Sequence, residues 1–274
     1  MVRNDAEEGG RPRLNRIVTA HLETQGQREM ALFRFDSRGY WIHREFLDRH
    51  QLEDARERVA RLPLTQDAWH EGQQRALKIH LHPGLLTGLG ETLHRHPATA
   101  LTISYPHRLL ESYALIRTRG MLDLHGGGAE YVAGSDARDI SARSWAAAGR
   151  SYALRVKVLV YLDDVVLPQD GRLAYIEGSH KAEFAFHRAF PGGRHEAADL
   201  MRTIEMRAGD AIWLNEALLH GAERKESPSP RRLLAYTFGP TFMASWTELE
   251  QQSIVSEGYA SAETETLNGL GPDE

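Results

Sequence analysis

The sequence predicts an α+β fold: a β-sandwich or jelly roll buttressed by N-terminal helices. Three observations predict it. Helical apolar spacing is confined to the first third of the chain, and period-2 patterns broken by Gly, Asp and Pro turns fill the rest from residue 110 onward. No repeat at a fixed period and no long linker divides the 274 residues, so helices followed by many short strands must share one core. Residues 14–255 read as a single domain, with the polar, aperiodic stretches 1–13 and 256–274 as flexible tails.

Taken in order, Tyr40-Trp41-Ile42 follows Gly39 as a short edge strand. Asp48 and Gln51 then form a capping-box pattern, and Leu52, Ala55, Val59 and Leu62 recur at helical spacing until Pro63. A second helix is predicted from Leu85 to Leu93. Later, Arg155 to Leu162 puts Val156, Val158, Val160 and Leu162 on one buried strand face. Arg172 to Ile176, Thr203 to Met206, Ala211 to Leu214 and Arg232 to Phe238 read as further short strands.

Composition narrows the function. With 33 Lys+Arg against 38 Asp+Glu the formal charge is −5, which argues against nucleic-acid binding, since that normally rests on a basic face. No run approaches the roughly 18 apolar residues of a membrane span. Met1 to Leu14 is polar with no apolar leader, so a cytoplasmic location is expected. Zero cysteines exclude disulfides, thiolate nucleophiles and iron–sulfur clusters, so any transition metal must be held by imidazole and oxygen. Fourteen histidines supply candidates.

Two of them sit at strand ends beside glycines. His125 closes Met121-Leu-Asp-Leu-His125 before Gly126-Gly127-Gly128, and His220 follows the stretch from Gly209-Asp210 and precedes Gly221. Either alone reads as a hydrogen-bonded loop residue. They are 95 residues apart, so only a closed sheet brings them together. Arg231, eleven residues beyond His220, opens an apolar strand on which it shares a face with Leu233 and Ala235; its alternative is a solvated strand-end cation.

The order of these pieces resembles the phytanoyl-CoA dioxygenase family of iron(II)- and 2-oxoglutarate-dependent oxygenases over residues 33–246. Phe35 to Leu47 is similar to the family's opening strand and helix, and Tyr161-Leu-Asp-Asp164, Gly171 and Gly178-Ser-His-Lys181 to the segment between its metal motifs. Gly209-Asp210, His220 and Arg231 follow at the family's spacing. The resemblance implies a double-stranded β-helix, the jelly-roll or cupin-like core, using Fe(II), 2-oxoglutarate and O2. It makes His125 and His220 iron ligands and Arg231 the partner of the distal carboxylate of 2-oxoglutarate, a role suited to a guanidinium fork. Trp145, twenty residues beyond His125, is expected to line the cosubstrate pocket, with a core tryptophan as the alternative. His180 competes as a ligand, but the family's corresponding segment is structural or lines the site.

One family element is missing. The pattern histidine, any residue, Asp or Glu stands here as His125-Gly126-Gly127, and glycine donates nothing to a metal. In halogenases of the wider superfamily, Gly or Ala at that position leaves room for chloride or bromide on iron, so halogenation is the expected chemistry. Hydroxylation with a carboxylate from Asp123, Glu130, Asp136 or Asp139 is the alternative, as is a cupin-like binder without turnover. A small-molecule substrate is implied. Arg138, Arg143 and Arg150 would receive an anionic one, and Arg117 and Arg119 precede the first ligand; all five are read as solvated charge.

Overall fold

The computed structural model describes residues 22, 24–67, 70–103, 106–126, 144–147, 150–182, 186 and 190–242. It opens with helix α1 (Gln25–Arg38), strand β1 (Tyr40–His43) and helix α2 (Arg49–Ala60). Both helices begin with a reciprocal capping box, Thr24 with Gln27 and Asp48 with Gln51, each satisfying backbone donors that the first turn leaves bare. Helix α1 ends at Gly39, whose φ of 84° is the left-handed cap conformation that turns the chain into β1.

Strands β2 (Thr65–Gln66) and β3 (Gln73–Leu77) precede helices α3 (Leu85–Arg95) and α4 (Pro97–Ile103). The remainder is β4 (His107–Arg117), β5 (Gly120–His125), β6 (Ser144–Ala147), β7 (Arg150–Ala153), β8 (Val156–Tyr161), β9 (Leu173–Ile176), β10 (Met201–Ile204), β11 (Ala211–Asn215), β12 (His220–Lys225) and β13 (Arg231–Pro240). A seven-stranded sheet runs β1-β11-β8-β13-β4-β3-β2 and a four-stranded sheet runs β10-β9-β12-β5, all adjacent pairs antiparallel. Two facing sheets with helices on the outer side of one form the expected jelly roll with N-terminal buttresses.

Strand parity separates two cores. Val156, Val158 and Val160 of β8, Trp213 of β11, and Leu234 and Tyr236 of β13 pack outward against Phe35, Val59, Leu86 and Leu89 of the helices. Leu159 and Tyr161, Ile212 and Leu214, and Leu233 and Ala235 alternate inward to meet Leu173 and Tyr175 of the smaller sheet. Strand β8 is therefore buried on both faces, where its valine pattern alone marks one. Trp213, fully buried, anchors the helical layer: its Nε1 donates to Thr99 Oγ1 at 2.9 Å and its ring lies 5.0 Å from Trp41.

Three expectations need correction. The first third is not purely helical, since β2 and β3 extend the large sheet beside β4. The strand expected at 203–206 ends at Ile204, because Met206 leaves the ladder to bridge Val165. Arg117 is 1% exposed rather than solvated, because it ends β4 facing inward opposite Arg231. Arg119 remains outside, 3.2 Å from Glu71.

Candidate active site

The smaller sheet brings the two histidines together. Strand β5 ends at His125 where β12 begins at His220, and the two are directly opposite in the ladder. On β12's other side His220 is opposite Tyr175, which belongs to the inter-sheet core, so both imidazoles enter the space between the sheets. Their ring centroids are 4.4 Å apart. Gly221 permits the approach: a Cβ there would lie 2.5 Å from Leu122 O and 2.7 Å from Asp123 O.

Each histidine donates Nδ1–H to the carbonyl two residues before it, His125 to Asp123 O at 3.0 Å and His220 to Leu218 O at 2.7 Å. A carbonyl only accepts, so both rings carry the proton on Nδ1 and present the Nε2 lone pair. Burial pushes the pKa of His125 down to about 4 and that of His220 well below the usual imidazole value, where the charge of His125 adds to the effect. Both rings are neutral at physiological pH. Paired neutral imidazoles with oriented Nε2 atoms fit a ferrous ion.

Among the described residues no carboxylate joins them as a third ligand. Asp123 does not share the face of His125 as simple alternation predicts: the register shifts between Ala222 and His220, and Asp123 is exposed, where its charge acts on Arg194. Gly127, Glu130, Asp136, Asp139, Arg138 and Arg143 lie outside the described residues. Trp145 stands opposite Tyr152 in the β6–β7 ribbon, with its side chain outside the described set, as is that of Arg150. His180 is occupied elsewhere, Nε2 donating to Asp36 O at 2.9 Å.

Arg231 is 4% exposed on the inner face of β13. One Nη1 hydrogen donates to Gly171 O, while buried Nε has no partner among the described residues. An orphaned guanidinium donor inside the barrel fits a bound carboxylate.

A charged group that no sequence motif marks also stands inside the barrel. Lys157 alternates inward with Leu159 and Tyr161 and pairs with Glu216, four residues before His220. Burial acts against the Lys157 ammonium, but Glu216 and then Tyr113 and Glu111 outweigh it and raise its pKa. The charges of Lys157 and Glu216 both reach His125. A lone lysine within an apolar strand was the available signal.

A jelly roll with facing imidazoles between its sheets and an inward guanidinium is the architecture of non-haem iron oxygenases that consume 2-oxoglutarate. The profile of the phytanoyl-CoA dioxygenase family, PhyH, matches residues 134–233, a stretch that includes His220 and Arg231 and begins after His125. The crystal structure of HygX from Streptomyces hygroscopicus with nickel and 2-oxoglutarate bound is 30% identical, with a TM-score of 0.71 over 79% of this chain and 89% of that one. HygX with nickel, 2-oxoglutarate and hygromycin B bound matches at 31% identity and a TM-score of 0.70, with the same coverage. At 18% identity, the epimerase SnoN from nogalamycin biosynthesis shares the fold, with a TM-score of 0.60 over 79% of this chain and 82% of that one. No protein of curated function matches. The chain belongs to the phytanoyl-CoA dioxygenase family and is a non-haem Fe(II)/2-oxoglutarate-dependent oxygenase. Among the described residues no helix is long and apolar enough to cross a membrane.

Proposed function

We propose that residues 14–255 form one catalytic domain that replaces a hydrogen on an unactivated carbon of a small molecule, with chloride or bromide as the entering group. His125 and His220 hold Fe(II) through Nε2, Arg231 grips the distal carboxylate of 2-oxoglutarate, and Trp145 lines the cosubstrate pocket. The carrying observation is the facing pair of Nδ1-tethered imidazoles. Glycine at 127, the position of the family's carboxylate ligand, supports a halide at the metal.

Bound iron with O2 and 2-oxoglutarate supplies the oxidant that removes the substrate hydrogen, leaving succinate and CO2. The protein's work is placement. The carbonyls of Asp123 and Leu218 fix both imidazole tautomers, and the buried Arg231 fixes the end of the keto acid farthest from the metal. HygX holding hygromycin B supports a small-molecule substrate.

Anaerobic protein with Fe(II) and 2-oxoglutarate is expected to give a visible charge-transfer band that shifts when chloride is exchanged for bromide, and halogenated product on admission of oxygen. A band and products indifferent to halide, with hydroxylated product, would overturn halogenation and assign the missing ligand to a carboxylate elsewhere in the chain.

A further inference from the structure

The barrel holds a second buried guanidinium that this reading does not use. Arg117 ends β4 directly opposite Arg231, the first residue of β13. Directly opposed residues project to one face, so both groups enter the space between the sheets. Tyr161 joins them: it is opposite Leu233, two residues along the same face from Arg231. Arg117, Tyr161 and Arg231 are 1%, 0% and 4% exposed.

Among the described residues each retains a buried donor with no hydrogen-bond partner: Nη1 of Arg117, the hydroxyl of Tyr161 and Nε of Arg231. The rest of Arg117 is committed. Its Nε and Nη2 both donate to Gln73 Oε1, Gln73 Nε2 donates to Asp67 Oδ2 at 2.5 Å, and Asp67 is itself paired with Arg75. Gln73 thus fixes the fork and leaves Nη1 as the spare donor. Among the described residues neither Arg117 nor Arg231 has a carboxylate within ion-pair distance. Burial lowers the pKa of Arg117 and the charge of Arg231 lowers it further, with Asp67 opposing. Two like charges and three orphaned donors in one dry space are costly unless an anion with several lone pairs answers them. A carboxylate has two oxygens and about four acceptor sites.

We propose that Arg117 and Tyr161 complete, with Arg231, a three-donor cradle for one carboxylate of a short dicarboxylate, and that the cradle binds 2-oxoglutarate and the co-product succinate without the metal. The proposal rests on Arg231 as the cosubstrate anchor and makes Gln73 a positioning residue for Arg117. Succinate then competes with 2-oxoglutarate for the same donors.

The test titrates full-length protein, kept metal-free by a chelator, with 2-oxoglutarate and with succinate, reading heat and melting temperature. The wild type is expected to bind both and melt higher. Arg117→Gln is expected to weaken both ligands roughly ten- to a hundredfold, and Tyr161→Phe by less. Arg117→Lys should keep part of the binding, having the charge without the fork. Wild-type affinity in Arg117→Gln and Tyr161→Phe, with binding lost only in Arg231→Gln, would overturn the cradle and leave Arg231 as sole anchor. Binding that requires Fe(II) in the wild type would overturn metal independence. A wild type that binds 2-oxoglutarate under neither condition would overturn the anchor itself. Should Arg117→Gln not fold, Tyr161→Phe decides, since it removes one hydroxyl and leaves the packing.

Discussion

His125 and His220 are ladder partners whose rings, 4.4 Å apart at their centroids, are each held by a hydrogen bond from Nδ1 to the carbonyl two residues upstream. The same local bond made twice leaves two Nε2 lone pairs on facing strands of one sheet. On the proposed ligand set, removing either ring removes half the protein-derived nitrogen offered to the metal. His125→Ala and His220→Ala are each expected to lose Fe(II) stoichiometry by metal analysis and oxygen-dependent succinate formation, with circular dichroism unchanged. Full iron loading and turnover in either variant would remove that histidine from the site.

Gly221 sets the separation of β5 and β12 beside the site. A Cβ at this position would collide with backbone oxygens of Leu122 and Asp123, which cannot rotate away as a side chain can. Gly221→Ala is expected to push the strands apart, lowering stability by about 1–3 kcal/mol in urea unfolding and weakening Fe(II) binding with it. Unaltered stability and metal affinity would show that the ladder does not constrain the imidazole pair.

The Lys157–Glu216 pair predicts acid behaviour. Burial alone would raise the Glu216 pKa, but the Lys157 ammonium outweighs it and the net shift is downward from 4.5. A carboxylate depressed in the folded state contributes stability above its unfolded value, and that contribution is lost as pH falls from about 4.5 through the lower folded value. Glu216→Gln is expected to cost about 1–3 kcal/mol at pH 7, because it removes the main partner of the Lys157 ammonium and leaves Tyr113 and Glu111 near it, and to flatten the stability profile below pH 4.5. Equal slopes in denaturant unfolding across that interval would contradict the assignment.

The parts of the fold most legible in the sequence were those whose signal is local. Asp48 with Gln51 marks the start of α2, and the alternating valines of β8 mark a strand with one buried side. Helix α1 is poorly marked in the sequence although Thr24 and Gln27 form the same capping box, because Met30 and Phe33 are exposed on it and dilute the apolar periodicity. Pairing is not local, so nothing around Arg117 distinguishes it from Arg119, and only the register with Arg231 buries one and leaves the other outside. The histidines were legible through their glycines and order. The inward turn of Lys157 was not, because its charge argues for solvent until Glu216 arrives from a segment 59 residues away.

An anaerobic crystal structure with Fe(II), 2-oxoglutarate and bromide decides whether the two imidazoles share one metal. One iron is expected, bound by Nε2 of both His125 and His220 at about 2.0–2.2 Å, with the keto acid's far carboxylate against Arg231 and bromide on the metal. Iron held at another place in the barrel, or by only one of the two rings, would contradict it.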